Sequence, residues 1–462
     1  MKKTDLWEIY TPEQRKELQC NAETYMKYVN GGKTERECIR ESVEMAKEFG
    51  FRDISDYVQA GKILTPGDKV YAVYNEKTLI LWHIGNDNLE NGMNLVGAHV
   101  DSPHIDVKQN PLYENLGFAY LDTRYYGGIK KYNWVTIPLA LHGVIVREDG
   151  SKVNVCVGEE GDEPVFVITD LLGMLAHEYM QRPASKVIDG ESLDIFVGSI
   201  HQKKEANSET VADAVMQILK EQYHIEEEDF LSAELEAVPA GKAREVGFDR
   251  SLIMAYGHDD RACAFASLMA MLQLDATPKR TACCILVDKE EIGSVGASGM
   301  QSRFFENMTA EVLALCNNTN PLSLRRCLQH SKMLSADVIV GFDPLYPEVH
   351  EQKNSAFLGK GLTLEKYTGG IGKGGANDAN AEYLARFRKV MKSNSITFQT
   401  AELGKVDAGG AGTIAYIMGN YGMEIVDCGI PVLCMHAPME LASKADIYEA
   451  VRGYKAFLKD MD

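Results

Sequence analysis

The sequence lacks long apolar runs, paired cysteines and clusters of basic residues. One of its longest apolar runs, residues 137–146, is far shorter than the ~20 residues that a membrane-spanning helix needs. The ten cysteines are scattered without a CxxC motif, which is typical of a reducing compartment in which cysteines pack as small apolar side chains. Basic runs such as Lys203–Lys204 and Arg325–Arg326 do not exceed two residues. The sequence therefore argues against a membrane span, a disulfide framework and a basic surface patch.

An excess of acidic residues gives the 462-residue chain a formal net charge of −19. Such a surface repels phosphate backbones, so we expect no nucleic-acid partner. The first residues include two lysines but no apolar stretch behind them, so we also expect no signal peptide. The sequence predicts a cytoplasmic protein that binds neither membranes nor nucleic acids.

The apolar pattern divides the chain into parts of different character. Helical spacing dominates up to about residue 60, and short strand-like runs follow from about Lys69. Runs rich in β-branched and aromatic residues, separated by Gly, Asp and Asn turns, then indicate a mostly β segment. After about Arg250, predicted helices and strands alternate, which is typical of an α/β sandwich.

We therefore predict one α/β domain, at 1–108 and 246–462, that is split in sequence by a β-rich insertion at 109–245. The segments TACCILVD and EIVDCGIPVLCMH are each predicted to form one strand. Because Cys283 and Cys284 are adjacent in the first of these, their side chains should point to opposite faces of the sheet.

Five short segments place His, Asp or Glu where predicted strands end, which is where open α/β sheets bind ligands. In the first, GAHVDSP, a strand ends at His99. Asp101 lies two residues on, so it can share a face with His99 and orient the imidazole. His104 and Asp106 repeat this pattern further into the loop and compete for the same role. An HxD pair alone is more typical of a polar turn.

The second segment, AYGHDDRACAFASL, places Asp259 and Asp260 at the predicted start of a helix. Capping the helix explains one aspartate, and His258 before the pair favours a metal site for the other. Asp259 is the candidate for a carboxylate that bridges two metals.

The third segment, ILVDKEEIGSVGASGM, carries Glu290 and Glu291 directly after a buried strand. Adjacent buried carboxylates are costly unless cations or protons neutralise them. Metal-assisted hydrolysis requires one metal ligand and one general base, and this pair supplies both. A solvated turn is the alternative, but the glycines that follow favour a tight loop.

The last two segments are MLSADVIVGFDP, with Asp337, and IPVLCMHAPME, where His436 is predicted to end a strand. Either residue could have only a structural role. Taken together, the five segments offer two imidazoles and a set of carboxylates that two cations can share. That donor set fits zinc best, and manganese or cobalt also fit.

The ordered set of motifs resembles the M18 metalloaminopeptidases, which include aspartyl aminopeptidase. The motifs GAHVDSP, GHDDR, DKEEIGS, SAD, GKGGANDANAE and CMHAPME follow the family's order along most of the chain. The resemblance implies a zinc-aminopeptidase-like α/β sandwich, with the β-rich insertion serving oligomerisation. It also implies a tetrahedral dodecamer whose active sites face an interior chamber and admit short peptides.

The resemblance assigns metal ligands to particular residues. His99 and Asp337 would be terminal ligands of one ion, and Glu291 and His436 of the other. Asp259 would bridge both ions.

It also assigns the acid–base and substrate-binding groups. Glu290 would deprotonate a metal-bridging water, and Asp101 would orient His99. The family places an insertion-domain histidine in a neighbouring subunit's active site, and His177 is the best positional match. HExxH is not present there, because Gln181 stands at the position of the second histidine.

The implied activity is removal of N-terminal residues from short peptides, with an open preference for acidic or neutral residues. Aspartyl-specific members carry Leu-Asp-Asn where this chain has His258-Asp259-Asp260, which puts acidic specificity in doubt. Lys373 in the GKGG loop could meet a substrate carboxylate. A carboxypeptidase or N-acyl amidohydrolase would need a cationic anchor, for which Lys373 and Arg261 are available. A non-catalytic scaffold of the same fold would have no need of Glu290.

Overall fold

The computed structural model describes residues 3–201, 203–204, 207–208 and 210–462. The chain forms two compact units. The first comprises the chain through Asp101, together with Ala243–Met435 and Glu440–Asp462. The second comprises Ser102–Lys242 and His436–Met439.

The secondary-structure elements are numbered in chain order. The α-helices are α1 (Leu6–Ile9), α2 (Pro12–Gly31), α3 (Glu35–Glu48), α4 (Ile54–Ala60), α5 (His177–Met180), α6 (Val211–Tyr223), α7 (His258–Leu272), α8 (Phe304–Leu315), α9 (Ser323–His330), α10 (Ala381–Ser393), α11 (Ala415–Gly419) and α12 (Lys444–Asp460). The strands up to the end of the second unit are β1 (Arg52–Asp53), β2 (Lys69–Tyr74), β3 (Thr78–His83), β4 (Asn94–His99), β5 (His104–Asn115), β6 (Phe118–Tyr126), β7 (Leu139–Val146), β8 (Lys152–Val157), β9 (Ile195–Gly198), β10 (Lys203–Lys204), β11 (Asn207–Ser208) and β12 (Ala233–Pro239). The remaining strands are β13 (Arg244–Val246), β14 (Leu252–Ala255), β15 (Ala282–Val287), β16 (Lys332–Ser335), β17 (Ile339–Val340), β18 (Leu362–Glu365), β19 (Phe398–Ala401), β20 (Glu424–Gly429), β21 (Pro431–Leu433) and β22 (Glu440–Ser443).

The first unit is built on a nine-stranded mixed sheet in the order β1-β2-β3-β15-β4-β16-β20-β18-β19. Its centre is parallel, because β4 pairs in parallel with both β15 and β16, and β16 pairs in parallel with β20. The carboxyl ends of these four strands therefore lie along one edge of the sheet. This edge is where the predicted site residues follow β4, β15 and β16.

Helices cover both faces of this sheet, which confirms the predicted α/β sandwich. One core joins alternate strand residues to helices α2, α3, α7, α10 and α12. The other joins the intervening strand residues to α4, α8, α9 and α11. Cys284 lies in the first core and Cys283 in the second, so the expectation that they point to opposite faces is confirmed.

The prediction of a single strand for EIVDCGIPVLCMH is wrong. The segment forms β20 in the nine-stranded sheet and then β21 in a separate five-stranded sheet, in the order β13-β14-β22-β21-β17. The chain changes sheets at Ile430, between Gly429 and Pro431, because proline lacks the N–H that continued pairing in a central strand would require.

The second unit contains a six-stranded antiparallel sheet in the order β8-β7-β12-β5-β6-β9, with α6 packed on β5, β6 and β9. It begins at Ser102 rather than near residue 109, because β5 pairs with β6 and β12 of this sheet from His104 onward. Among the helices that the structure describes, none has both the length and the apolar character needed to cross a membrane.

His83, the last residue of β3, provides a test of how this strand packs between its neighbours β2 and β15. Its side chain is 2% exposed, and its buried Nδ1 has no hydrogen-bond partner among the described residues. Burial, assisted by the positive charge of Lys69, lowers the pKa of His83 to about 4. In the unfolded chain, His83 therefore becomes protonated below pH ~6.5. In the folded chain, it becomes protonated only below about pH 4.

Stability should consequently fall as the pH is lowered from ~6.5 to ~4, and His83→Phe should lose part of this dependence. We expect the variant to gain roughly 1–3 kcal/mol relative to wild type over that interval. Urea unfolding of both proteins at several pH values measures the difference in their unfolding free energies. Contributions of other titrating groups are the same in both proteins and cancel in this difference. A constant difference at all pH values would contradict the assignment.

Candidate metal centre

His99 ends the central strand β4 and is 2% exposed. Its Nδ1 lies 3.0 Å from the carbonyl oxygen of Asp101. A carbonyl oxygen only accepts hydrogen bonds, so Nδ1 carries a proton, and in the neutral imidazole the lone pair is on Nε2. This is the tautomer in which Nε2 can bind a metal ion.

Three carboxylates surround His99 Nε2. Asp259 Oδ1 is 3.2 Å away, and Glu290 Oε2 and Asp337 Oδ1 are each 3.9 Å away. Asp337 follows β16 and Glu290 follows β15, so neighbouring parallel strands bring these residues together. The predicted positions at strand ends explain this convergence.

Two groups of side chains offer ligand atoms that all lie within 4.8 Å of one another. One contains His99, Asp260 and Asp337, and the other contains His99, Asp259 and Glu291. The structure therefore brings together four of the five predicted metal ligands, together with Asp260.

Asp101 connects the end of β4 to the loop after β15. Its two carboxylate oxygens accept hydrogen bonds from the backbone N–H groups of Glu290 and Glu291, both at 3.1 Å. Its Oδ1 also lies 3.4 Å from His99 Nδ1. One aspartate thus fixes the imidazole and both glutamates. The sequence suggested only its contact with His99.

The Asp259–Asp260 pair divides two tasks between adjacent residues. Asp259 presents Oδ1 to His99, and its own N–H donates to Glu440 Oε2 at 2.9 Å. The carboxylate of Asp260 is fully buried and accepts hydrogen bonds from the N–H groups of His99 and Val338, at 3.3 and 3.1 Å. Asp260 therefore holds the backbone at the ends of two ligand-bearing strands.

Neither neighbouring histidine belongs to these groups. His258 Nε2 faces the carbonyl of Ile253 at 3.0 Å, so its Nδ1 accepts from the Tyr25 hydroxyl at 2.5 Å. Burial lowers the pKa of His258 to about 4, which keeps it neutral. His104 lies in the second unit, where Nε2 is 3.0 Å from Asp106 Oδ1.

The electrostatics of the site call for a cation. Burial alone would lower the pKa of His99, but hydrogen bonds to Asp101 and Asp259 and the charges of Asp260 and Asp337 raise it well above its usual range. Burial, with the repulsion of neighbouring acids, raises the pKa of both Asp260 and Asp337 well above theirs. A cluster of buried and partly buried carboxylates around one imidazole nitrogen is a donor set that binds zinc, so the residues fit a divalent ion.

His436 lies in the second unit, at a left-handed turn with φ 63° instead of at the end of a strand. Its Nδ1 is 2.9 Å from the carbonyl of Gly128. Nδ1 therefore carries a proton, and in the neutral imidazole the lone pair is on Nε2. His436 as a metal ligand stays a prediction.

The two predicted substrate-binding residues are both solvent-accessible. His177 begins the short helix α5 of the second unit, with Nδ1 3.3 Å from the side-chain amide of Gln181. Lys373 of the first unit donates to Asp378 at 2.7 Å and lies over the ring of Tyr367. A substrate carboxylate would have to compete with Asp378 for this lysine.

Arg261 is not available as an anchor for a substrate carboxylate. It is 1% exposed and donates to the carbonyl oxygens of Val100 and Lys33, at 3.2 and 2.8 Å. Its guanidinium holds backbone segments together beneath the site. The carboxypeptidase and amidohydrolase alternatives therefore lose one of their two candidate anchors.

Gly429 is a site-supporting residue that sequence reasoning missed. A Cβ at this position would lie 1.5 Å from the carbonyl oxygen of Asp337. The backbone of β20 thus passes too close to the Asp337 segment for any side chain. A glycine inside a strand that changes sheets was the signal that could have revealed this contact.

Gly429→Ala should displace the Asp337 backbone and weaken both folding and metal retention. We expect a loss of at least about 1–3 kcal/mol in unfolding free energy and a reduced zinc content after dialysis. Gly419→Ala is the matched control, because a Cβ there meets no atom within 4 Å. Equal zinc content and stability in the two variants would contradict the prediction.

Comparisons with known proteins agree with the geometry. The family profile described as "Aminopeptidase I zinc metalloprotease (M18)" matches residues 28–458. "Probable M18 family aminopeptidase 1" from Clostridium acetobutylicum is 54% identical over 454 residues, which cover 98% of this chain and 97% of the relative. The crystal structure of an M18-family aminopeptidase from Thermotoga maritima matches with a TM-score of 0.94 at 40% identity, covering 99% of both chains.

A more distant structure, the S. cerevisiae mApe1 dodecamer, has a TM-score of 0.77 at 20% identity and covers 95% of this chain and 96% of that chain. At this identity the likeness concerns the fold alone. The profile match and the close relatives, by contrast, extend over nearly the whole chain and include its ordered motifs. The chain therefore belongs to the M18 family of zinc metalloaminopeptidases, which confirms the resemblance inferred from those motifs.

Proposed function

We propose that this aminopeptidase holds two divalent ions, with zinc the best match and cobalt or manganese as substitutes. His99 and Asp337 would bind one ion, Glu291 and His436 the other, and Asp259 would be shared. The observation that carries this proposal is the crowding of carboxylates around His99 Nε2, with Asp259 Oδ1 at 3.2 Å. Because His99 belongs to both metal-capable groups, we expect the two ions to lie close together.

Glu290 is the general base in this proposal. Bound divalent ions would acidify a water molecule and polarise the N-terminal peptide carbonyl. The Glu290 carboxylate, 17% exposed and 3.9 Å from His99 Nε2, accepts the water proton and later delivers it to the leaving amine. Asp101 holds the Glu290 backbone during both transfers through its hydrogen bond at 3.1 Å.

The substrates we propose are short peptides with a free N-terminus. The positive α-amine would be attracted by the acidic groups around His99, which favours cleavage of the first residue over internal bonds. Lys373 would contact the substrate only where a substrate carboxylate displaces its ion pair with Asp378. Neutral N-terminal residues leave that ion pair intact, so we expect neutral residues to be accepted.

We propose a homo-oligomer, specifically a tetrahedral dodecamer, located in the cytoplasm. The second unit exposes a run of large apolar side chains beside His177, at 49–84%: Leu171, Leu172, Met174, Leu175 and Met180. Such a run is expected to be covered by another chain. A dodecamer would enclose the active sites and give His177 a neighbouring subunit to reach. Sedimentation analysis tests this assembly: wild type should sediment as a dodecamer, and Leu175→Asp as a smaller species. A monomeric wild type would contradict the proposal.

The activity is tested with a panel of aminoacyl chromogenic amides and their N-acetylated counterparts. We expect metal-dependent release from the free amines and none from the acetylated compounds, with zinc, manganese and cobalt compared at equal concentration. Metal analysis of the purified protein should give two ions per chain. Release from acetylated substrates, or full activity with one ion per chain, would overturn the respective part of the proposal.

A further inference from the structure

A second acidic site lies within the first unit, at the end of β18. Glu365 is 6% exposed, and its buried Oε1 has no hydrogen-bond partner among the residues that the structure describes. Thr363, two residues earlier on the same face of the strand, is fully buried and its hydroxyl also lacks a partner in the described part of the chain. Native proteins rarely leave buried oxygens unpaired, so these two require an explanation.

A second buried carboxylate stands directly opposite. Glu365 and Asp427 are partners in the antiparallel pairing of β18 with β20, so their side chains share one face of the sheet about 5 Å apart at Cβ. Asp427 is 2% exposed and accepts from the Thr413 hydroxyl at 2.6 Å and the Asn377 amide at 3.3 Å. The Ser335 hydroxyl donates in turn to Thr413, at 3.4 Å.

The charges around Glu365 have the same sign as its own. Burial raises the pKa of Glu365 well above its usual range, and the nearby carboxylates of Asp427 and Glu402 raise it further. Two buried carboxylates side by side are strongly unfavourable unless a cation or a shared proton neutralises them. The Asp427 network supplies hydrogen-bond donors to one carboxylate and leaves Glu365 without any.

The available ligand atoms are all oxygens: the carboxylates of Glu365 and Asp427 and the hydroxyl of Thr363. Oxygen donors without imidazole or thiolate select hard cations over zinc or copper. A buried and irregular set of this kind suits Ca²⁺, which accepts flexible geometry. Mg²⁺ is less suited, because it retains several water molecules in an octahedral shell.

We propose that Glu365 and Asp427 form a binding site for a hard cation, with Ca²⁺ the best match, distinct in its ligands from the metal centre at His99. The ion would join β18 to β20 and fix, through Asp427, the loops that carry Asn377 and Thr413. Ser335 lies two residues before Asp337, so an ion here would stabilise the strand end that supports the metal centre. Its expected role is therefore structural.

Zinc-loaded protein tests the proposal, because zinc occupies the metal centre while Ca²⁺ is added. After incubation with Ca²⁺ and desalting, elemental analysis should find about one Ca²⁺ per wild-type chain and unchanged zinc. Glu365→Gln and Asp427→Asn should each retain zinc and lose Ca²⁺. Glu382→Gln, which removes an exposed carboxylate of α10, is the matched control and should retain both ions.

Thermal unfolding gives an independent readout. At constant ionic strength, saturating Ca²⁺ should raise the wild-type melting temperature by about 2–4 °C or more and leave Glu365→Gln unchanged. Mg²⁺ and K⁺ are measured in parallel. A rise in melting temperature with either ion also supports a cation site if Glu365→Gln abolishes that rise. Wild-type protein that binds none of these ions and shows no shift overturns the proposal, whether or not the variants fold. In that case, a melting temperature that falls as the pH rises in wild type, but not in the variants, would indicate that Glu365 and Asp427 share a proton instead.

Discussion

Glu290→Gln is expected to reduce kcat by roughly 10²–10⁴-fold, the usual contribution of a general base, with little change in zinc content. Glutamine has the shape of glutamate but cannot accept the water proton. The backbone N–H of residue 290 would still donate to Asp101, so the loop after β15 should keep its position. Steady-state kinetics on a chromogenic amide, with zinc measured on the same sample, tests both statements.

Glu382→Gln serves as the control for this variant, because its side chain is exposed on α10 in the same unit. It should match the wild-type kcat within a factor of two or so. If Glu290→Gln loses zinc together with activity, Glu290 is a ligand and the base lies elsewhere. If it keeps both, Glu290 takes no part in proton transfer.

Asp101→Asn is expected to weaken zinc binding by about 10–100-fold, the range found for residues that orient metal ligands, and to lower activity in parallel. The Asp101 carboxylate accepts from the N–H groups of Glu290 and Glu291 through separate oxygens. Asparagine has one acceptor oxygen, so its NH₂ group would oppose one of these donors or rotate away from it. His99 would lose the carboxylate 3.4 Å from its Nδ1 at the same time.

Competition with a chelator of known affinity measures the zinc dissociation constant of this variant. Asp56→Asn, a substitution at an exposed position of α4, controls for the loss of one negative charge. Excess zinc should restore much of the Asp101→Asn activity, whereas Glu290→Gln should keep its reduced kcat at any zinc concentration. An unchanged zinc affinity would show that the Asp101 carboxylate is not needed to position His99 and the glutamate loop.

Much of the site follows from the sequence because its ligands stand at the ends of parallel strands. The motifs around His99, Glu291 and Asp337 follow β4, β15 and β16, which are neighbours in the sheet. Once these runs were recognised as buried strands, the shared edge followed from the rule that parallel strands end together. The β-rich character of the second unit follows from its short runs of β-branched and aromatic residues between Gly, Asp and Asn turns.

Other features depended on backbone geometry that no local pattern encodes. Asp259 and Asp260 are adjacent and chemically alike, yet one faces His99 Nε2 and the other accepts backbone N–H groups from two strands. The turn at His436 and the change of sheets after Gly429 depend on contacts with distant segments. The unpaired Glu365 was invisible for the same reason, because only strand pairing places it opposite Asp427.

The spacing of the metal-capable residues along the chain has a consequence for protein synthesis. His99 leaves the ribosome before the whole second unit up to Lys242, and Asp337 follows much later. Neither metal-capable group is complete until the chain has emerged at least through Glu291. A nascent chain therefore cannot use zinc as an early folding nucleus, unlike small domains that fold only around their metal. We therefore expect metal capture only after the chain has emerged at least through Glu291, and zinc added to apoprotein should restore activity without new translation.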